Sequence, residues 1–328
     1  MAFSKIIGHR KQLEFLRLAL ASARLHHAYL FIGPQGIGKR TVALALAKAL
    51  HCSEAENDFC DGCGNCNRIA ALNHPDVRVI EPLAGKKEIS IQQVRELERD
   101  LNYRSFTGKR KMMIIDPATL MNSSAQNALL KTLEEPPENS LLILIASNAG
   151  GLLPTVRSRC LRMSFAPLTR DEVASYLKSN RGMTGDNVEY LAAMSLGSIG
   201  VAVGLDEEEF IEKRRGWAGT VSALKAGDYQ SAMAAAESLA GDRDQALRFL
   251  TWAQSWYRDL LIHGVTQDSR DLVNLDMRSQ IEQQSAVAGT EQTLSSMART
   301  ARAAARIQRN LNRRMVLERL LFGAVRQR

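Results

Sequence analysis

Apolar and polar positions change rhythm twice along the chain. From residue 3 to about 166, short solid apolar runs alternate with amphipathic stretches. That is the pattern of buried parallel strands separated by helices. Strands are predicted at 28–32, 77–80, 111–115 and 141–146, and an Ala- and Leu-rich helix at 41–50. Ser90-Ile91-Gln92-Gln93 reads as a capping box that starts a helix carrying Val94, Leu97 and Leu101 on one face. Asn122-Ser123 supplies the next cap, Ala125, Leu129 and Leu133 form the stripe, and Pro136-Pro137 ends it. After Pro167-Leu168-Thr169 the strand signals stop, and 171–177 and 188–194 read as short amphipathic helices. From Asp206-Glu207-Glu208-Glu209 onward the chain is rich in Ala, Gln and Arg and reads as a bundle of longer helices. The pattern predicts an α/β domain with a doubly wound parallel sheet at 1–166, a small helical domain at 167–205, and an all-α domain at 206–328.

Composition narrows this little further. At 328 residues and 45% apolar the chain has ample core, and no run approaches the ~18 apolar residues of a membrane span. Met1-Ala2-Phe3-Ser4-Lys5 lacks the layout of a signal peptide, so a cytoplasmic protein is expected. The net charge of +8 is compatible with a polyanionic partner, while only 5% aromatic residues argues against a base-stacking platform for single strands.

The first candidate site is Gly33-Pro34-Gln35-Gly36-Ile37-Gly38-Lys39-Arg40, which follows the first predicted strand. It fits the phosphate-binding loop G-x-x-x-x-G-K-[S/T] except at its last position. In such a loop, backbone N–H groups made accessible by glycine curl around phosphate, the lysine reaches the terminal phosphates, and the final hydroxyl holds Mg²⁺. Arg40 cannot ligate a cation, and Thr41 next to it points about 100° further round the helix. Asp116, at the end of the third predicted strand, suits the second Mg²⁺ position, but the acid that would orient the attacking water is replaced by Pro117. Gly33, Gly36, Gly38, Lys39, Thr41 and Asp116 thus outline a degenerate nucleotide site. Binding of ATP or ADP is left open, because the same residues also suit a glycine-rich turn and a turn-capping aspartate.

The second candidate is the cysteine cluster. Cys52, Cys60, Cys63 and Cys66 follow the spacing C-x7-C-x2-C-x2-C. Thiols crowded in this way in a cytosolic protein suit a tetrahedral structural Zn²⁺, with a redox C-x-x-C or an iron–sulfur cluster as alternatives.

Several stretches carry a family resemblance. They are Leu25-His26-His27-Ala28-Tyr29-Leu30-Phe31 before the loop, the cysteine insertion, the run from Ser124-Ala125-Gln126 to Leu133-Glu134-Glu135-Pro136-Pro137, and Ser158-Arg159-Cys160. Together they resemble subunits of the bacterial DNA polymerase III clamp loader, an AAA+ assembly. The altered nucleotide loop resembles the delta-prime branch rather than the ATP-hydrolysing tau/gamma branch. The resemblance is dense over 1–166, moderate to about 205 and weak beyond. It implies an AAA+ domain with a zinc-binding insertion, a helical lid, and a collar domain that joins the ring.

The resemblance also implies roles. Arg159 would be an arginine finger placed in the ATP site of the neighbouring subunit, with Ser158 positioning its loop and Cys160 a buried filler. Ser147 or Asn148 would fall at the γ-phosphate sensor, and Gly200 stands where a second-sensor arginine belongs. Implied partners are tau/gamma and delta subunits, the sliding clamp and primer–template DNA, with no membrane and no independent catalysis by this chain. The competing readings are a working tau/gamma-like ATPase, which needs a hydroxyl at 40 and an acid at 117, and a stand-alone zinc DNA-binding protein. Arg299, Arg302, Arg306, Arg309 and Arg313 are expected on one helical face, turned to solvent, to another subunit or to duplex DNA.

Overall fold

A computed structural model describes residues 3–107, 109–184, 186–205, 208–269, 271–309 and 311–326. Two compact units result, one of residues 1–176 with 196–201, the other of 177–195 with 202–328. The stretch 167–205, expected as a lid, is therefore shared between them. Asp206 and Glu207 of the acidic stretch lie outside the described residues.

The first unit is built on α1 (Arg10–Ala21), β1 (Ala28–Ile32), α2 (Lys39–His51), α3 (Gly64–Ala70), β2 (Val77–Ile80), α4 (Ile91–Asn102), β3 (Lys111–Ile115), α5 (Ser123–Glu134), β4 (Ser140–Ala146), α6 (Pro154–Arg157) and β5 (Leu161–Ser164). The strands form one sheet in the order β2-β3-β4-β1-β5, and all four pairings are parallel. Alternation along each strand splits the core in two. Tyr29, Phe31, Ile143 and Ile145 face the side covered by α1, α2 and α3, and Leu30, Ile32, Leu142 and Leu144 face the side of α4 and α5. β4 is buried along its whole length, as a central parallel strand should be. The predicted caps form. Ser90 Oγ accepts from the Gln93 amide while Gln93 Oε1 accepts from the Ser90 amide, and Asn122 Oδ1 accepts from the Ala125 amide. β5 was not anticipated. It lies at the sheet edge against β1 with only Met163 buried, so its sequence lacks an apolar run.

Past the sheet come α7 (Arg170–Arg181), α8 (Asp186–Met194) and α9 (Ile199–Gly204), followed by α10 (Glu208–Ala223), α11 (Tyr229–Leu239), α12 (Arg243–Thr266), α13 (Arg278–Val287), α14 (Thr290–Gln308) and α15 (Arg313–Arg326). The second unit is organised around α12, whose Phe249, Trp252 and Trp256 are fully buried. Two buried charged groups in it have partners. Arg214 forms a bidentate ion pair with Asp276 and lies 3.5 Å from the centre of the Tyr190 ring. Buried Asp259 accepts from the amides of Val273 and Asn274 and from the Asn274 side chain. The expected arginine stripe does not hold. α14 ends at Gln308, and Asn312 caps α15, its Oδ1 accepting from the Met315 amide, so Arg299 and Arg313 sit on different helices. Arg299 donates to the Gly323 carbonyl and Arg313 to the carbonyls of Ala240 and Gly241. Those two cations bond within the bundle, and the five arginines do not share one helix.

Candidate functional site

The phosphate loop leaves the carboxyl end of β1, and Asp116 leaves the carboxyl end of β3, with β4 between the two strands. The positive φ values of Gly36 (75°) and Gly38 (104°) explain the need for glycine there, and Gly38 is the N-cap of α2. The carbonyls of the loop are bonded within the chain. Lys39 is buried, and its Nζ donates to the carbonyls of Gly33 and Pro34, each at 2.6 Å. His9 Nε2 donates to the Ile37 carbonyl at 2.6 Å. From the other side, Ser198 Oγ donates to the Gln35 carbonyl and the Gly200 amide to the Gly36 carbonyl, both at 2.9 Å. A side chain at Gly200 would begin 2.9 Å from the Gly36 Cα, closer than a Cβ can approach.

Arg40 occupies the Mg²⁺ position of the motif with two acids around it. Its guanidinium pairs with Glu81 and lies 3.8 Å from Asp116. Burial raises the Asp116 carboxyl above its ordinary range, and the nearby Arg40 and Lys39 cations pull it back only in part. Burial likewise lowers Lys39, against the pull of Asp116. Thr41 lies exposed on α2, and Ser147 and Asn148 are exposed beyond β4, where Asn148 Oδ1 accepts from the Gly150 amide. The structure thus brings Gly33, Gly36, Gly38, Lys39 and Asp116 together and leaves Thr41 on the outer surface of its helix. Sequence reading missed His9, Glu81 and Ser198. Glu81 stands 41 residues from Arg40, and nothing local to either pairs them.

The four cysteines do converge, with their sulfurs all within 4.8 Å of one another and Cys52 Sγ 4.0 Å from Cys63 Sγ. A tetrahedral Zn²⁺ with Zn–S bonds of ~2.3 Å sets S···S separations of roughly 3.8 Å, so this donor set fits the ion. Backbone amides of Gly62 and Cys63 point at Cys60 Sγ, and the Cys66 amide points at Cys63 Sγ. Burial would raise the Cys63 thiol, but hydrogen bonds with Ser53 and Cys66 draw it down to about 5, while burial and the hydrogen bond to Cys63 push its neighbour Cys66 up to about 12. The insertion is also packed independently of any metal. Phe59 meets Phe3 edge-on, Lys48 pairs with Asp61 at 2.6 Å, and Asn65 donates to the His51 carbonyl.

A second cluster, His51, His74 and Asp76, is fully buried beside the cysteines. Its hydrogen bonds argue against a metal. His74 Nδ1 accepts from the Asp76 amide, so neutral His74 carries its proton on Nε2, and ligation there would require an imidazolate. The Asp76 carboxylate accepts from the amides of Phe106 and Thr107 and from the hydroxyls of Ser105 and Thr107. This cluster pins the loop at 105–107.

Arg159 follows α6. Its Nη1 donates to the Thr155 carbonyl at 3.0 Å and lies 3.4 Å from Ser158 Oγ, and its Nη2 is 2.6 Å from Glu134 Oε1. Val156 and Cys160 on either side are buried, while the neighbouring Arg157 and Arg162 are exposed.

Fold and site together define a P-loop α/β protein whose phosphate loop carries an arginine, paired with Glu81, at its Mg²⁺ position and which has a four-cysteine insertion. Comparison with known proteins gives the family. The model described as DNA polymerase III, delta subunit, matches residues 8–169. DNA polymerase III subunit delta' of Pseudomonas aeruginosa is 32% identical over 299 residues, covering 90% of each chain. The Escherichia coli subunit delta' is 30% identical over 262 residues, covering 79% of this chain and 77% of that one. The tau/gamma subunit of Haemophilus influenzae is 31% identical over 214 residues, covering 63% of this chain and 30% of that one. The chain belongs to the DNA polymerase III delta-prime family of clamp-loader subunits. Among the described residues no helix is long and apolar enough to cross a membrane.

Proposed function

We infer that this chain serves in a DNA polymerase III clamp loader as a subunit that does not hydrolyse ATP and that lends Arg159 to the ATP site of a neighbour. The observation that carries the first half is the position of Arg40. A guanidinium paired with Glu81 and close to Asp116 takes the place of the ion that would bridge to phosphate. Pro117 offers no carboxylate for an attacking water, and Gly200 packs against the loop where the second-sensor arginine would stand. Gly33, Gly36, Gly38 and Lys39 keep the backbone for holding phosphate, so ADP or ATP could bind without turning over only if Lys39 let go of the Gly33 and Pro34 carbonyls.

For the second half, Arg159 is half-exposed on a buried-flanked turn, which suits a guanidinium presented outward. In a neighbour's site it would neutralise charge developing on the transferred phosphoryl, worth ~10³–10⁵ in rate in well-studied cases. Cys52, Cys60, Cys63 and Cys66 hold a structural Zn²⁺ in this reading, closed to solvent chemistry because all four positions are filled by protein. The partners are tau/gamma and delta subunits, the sliding clamp and primer–template DNA, in the cytoplasm. The three-part division at 166 and 205 belongs to the same reading.

The test uses the reconstituted complex. Arg159→Ala should leave assembly intact and lower the DNA- and clamp-stimulated ATPase in part, since other sites in the ring use other subunits' arginines. Lysine should not restore the rate, because it offers a point charge rather than a planar fork. Lys39→Ala should change the rate far less. Wild-type turnover with Arg159→Ala would end the finger reading.

A further inference from the structure

The Glu134–Arg159 pair is unusual in being exposed yet firmly framed. Glu134 is the last residue of α5, half-exposed, and an ion pair in such a place adds little to fold stability. The helix that carries it is nevertheless braced along its length. Leu129 and Leu133 are buried in the sheet's core, and Thr132 Oγ1 donates to Glu98 Oε1 on α4 at 2.8 Å. At its start, Gln126 Oε1 accepts from the Leu153 amide that opens α6, and Gln126 Nε2 donates to the Gly151 carbonyl. Both ends of α5 are therefore tied to the α6 turn, the first through Gln126 and the last through Glu134.

We propose that Glu134 is the positioning residue for Arg159. Its carboxylate takes Nη2 while the Thr155 carbonyl takes Nη1, so acceptors at two terminal nitrogens fix the guanidinium plane. A free arginine samples many rotamers, and each must be lost when it meets a phosphate. Held by α5, the side chain is ordered before the neighbour's nucleotide arrives, and contact requires less reorganisation. The motif residues from Ser124 to Pro137 then carry a function that helix formation alone does not explain. The proposal rests on the reading of Arg159 as a finger in trans.

In the reconstituted complex, Glu134→Ala should lower the stimulated ATPase kcat between about 3-fold and 100-fold, less than Arg159→Ala, with KM for ATP unchanged. Glu134→Gln should retain part of the rate, because its amide oxygen still accepts a hydrogen bond. The double variant Arg159→Ala/Glu134→Ala should be no slower than Arg159→Ala alone, a result that general damage to the domain would not give. Thermal melts of the isolated chains should coincide, showing that all variants fold. A wild-type or faster rate for Glu134→Ala, or an additive loss in the double variant, overturns the positioning role while leaving the finger standing. If Arg159→Ala itself has no effect, the finger reading falls and this proposal falls with it.

Discussion

The cysteine loop and the phosphate loop differ in what completes them. The cysteine loop brings together four like donors at ion-sized separations, and the gap between their sulfurs matches a metal that the chain itself does not provide. The phosphate loop has the right backbone, but its lysine and the position of its Mg²⁺ ligand are engaged within the chain. Lys39 binds the loop carbonyls, Arg40 stands for the metal, and Ser198 and Gly200 bond to Gln35 and Gly36. One motif has kept all four ligand side chains, while the other has kept its shape and carries a cation where its Mg²⁺ ligand belongs. A sequence motif is thus judged by whether each ligating position keeps a residue able to ligate.

The largest expected effect lies at the cysteine loop. Protein purified under reducing conditions should carry about one zinc per chain, and Cys60→Ser should carry close to none by elemental analysis. Structural zinc contributes ~10–16 kcal/mol in isolated finger peptides. Here Phe3, Phe59 and the Lys48–Asp61 pair hold the insertion against the core, so hydrogen exchange should quicken within 52–66 without global unfolding. Absence of zinc from the wild-type chain would remove the contrast between the loops.

A smaller effect should come from trying to restore the phosphate loop. Gly200→Arg supplies the missing second-sensor cation, but its Cβ would meet Gly36 Cα at 2.9 Å. We expect a loss of ~1–3 kcal/mol, as for overpacking, read from the urea midpoint, and no gain in nucleotide affinity by calorimetry. Gly204 lies at the end of the same helix with open space around it, so Gly204→Arg is the control for helix effects alone. Gly200→Arg with wild-type stability and new ATP binding would mean that the loop opens readily.

Much of the sheet was legible because each buried strand announces itself locally. The strands at 28–32, 77–80 and 111–115 match, the fourth starts one residue early at Ser140, and the caps at Ser90 and Asn122 form as their side chains require. β5 was missed because an edge strand with one buried residue has no apolar signature. The cysteine cluster was legible because its ligands are close in sequence. Partners across the fold were not. Glu81 for Arg40, Glu134 for Arg159 and Gly200 for Gly36 are separated by 41, 25 and 164 residues, and only the folded backbone brings them together. The arginine stripe failed for a different reason. Spacing of three or four continues past residue 308, but Asn312 caps a new helix, a local signal that outweighs periodicity.

The smallest expected effect concerns Asp116, and it tests whether the internal plug stabilises the fold or is only tolerated. Burial raises its carboxyl above the ordinary value of 3.8, and Arg40 and Lys39 offset that in part. A carboxyl that is harder to ionise in the folded state than in the unfolded one costs stability wherever it is ionised. That cost is complete above its folded pKa and disappears as the pH falls below 3.8, where both states are protonated. Asp116→Asn removes the charge while keeping the shape, and Arg40 retains Glu81 as partner. The variant should therefore be slightly more stable than wild type at pH 7, by about 0.5 kcal/mol on the usual scale of such changes. Its advantage should shrink toward zero as urea melts are repeated from pH 7 down to pH 4. A variant less stable than wild type at pH 7 would mean that the attraction of Arg40 and Lys39 exceeds the cost of burial. Asp116 would then be part of an ion-paired plug that stabilises the closed loop, and the phosphate loop would resemble the cysteine loop in depending on a cation, one supplied by the chain.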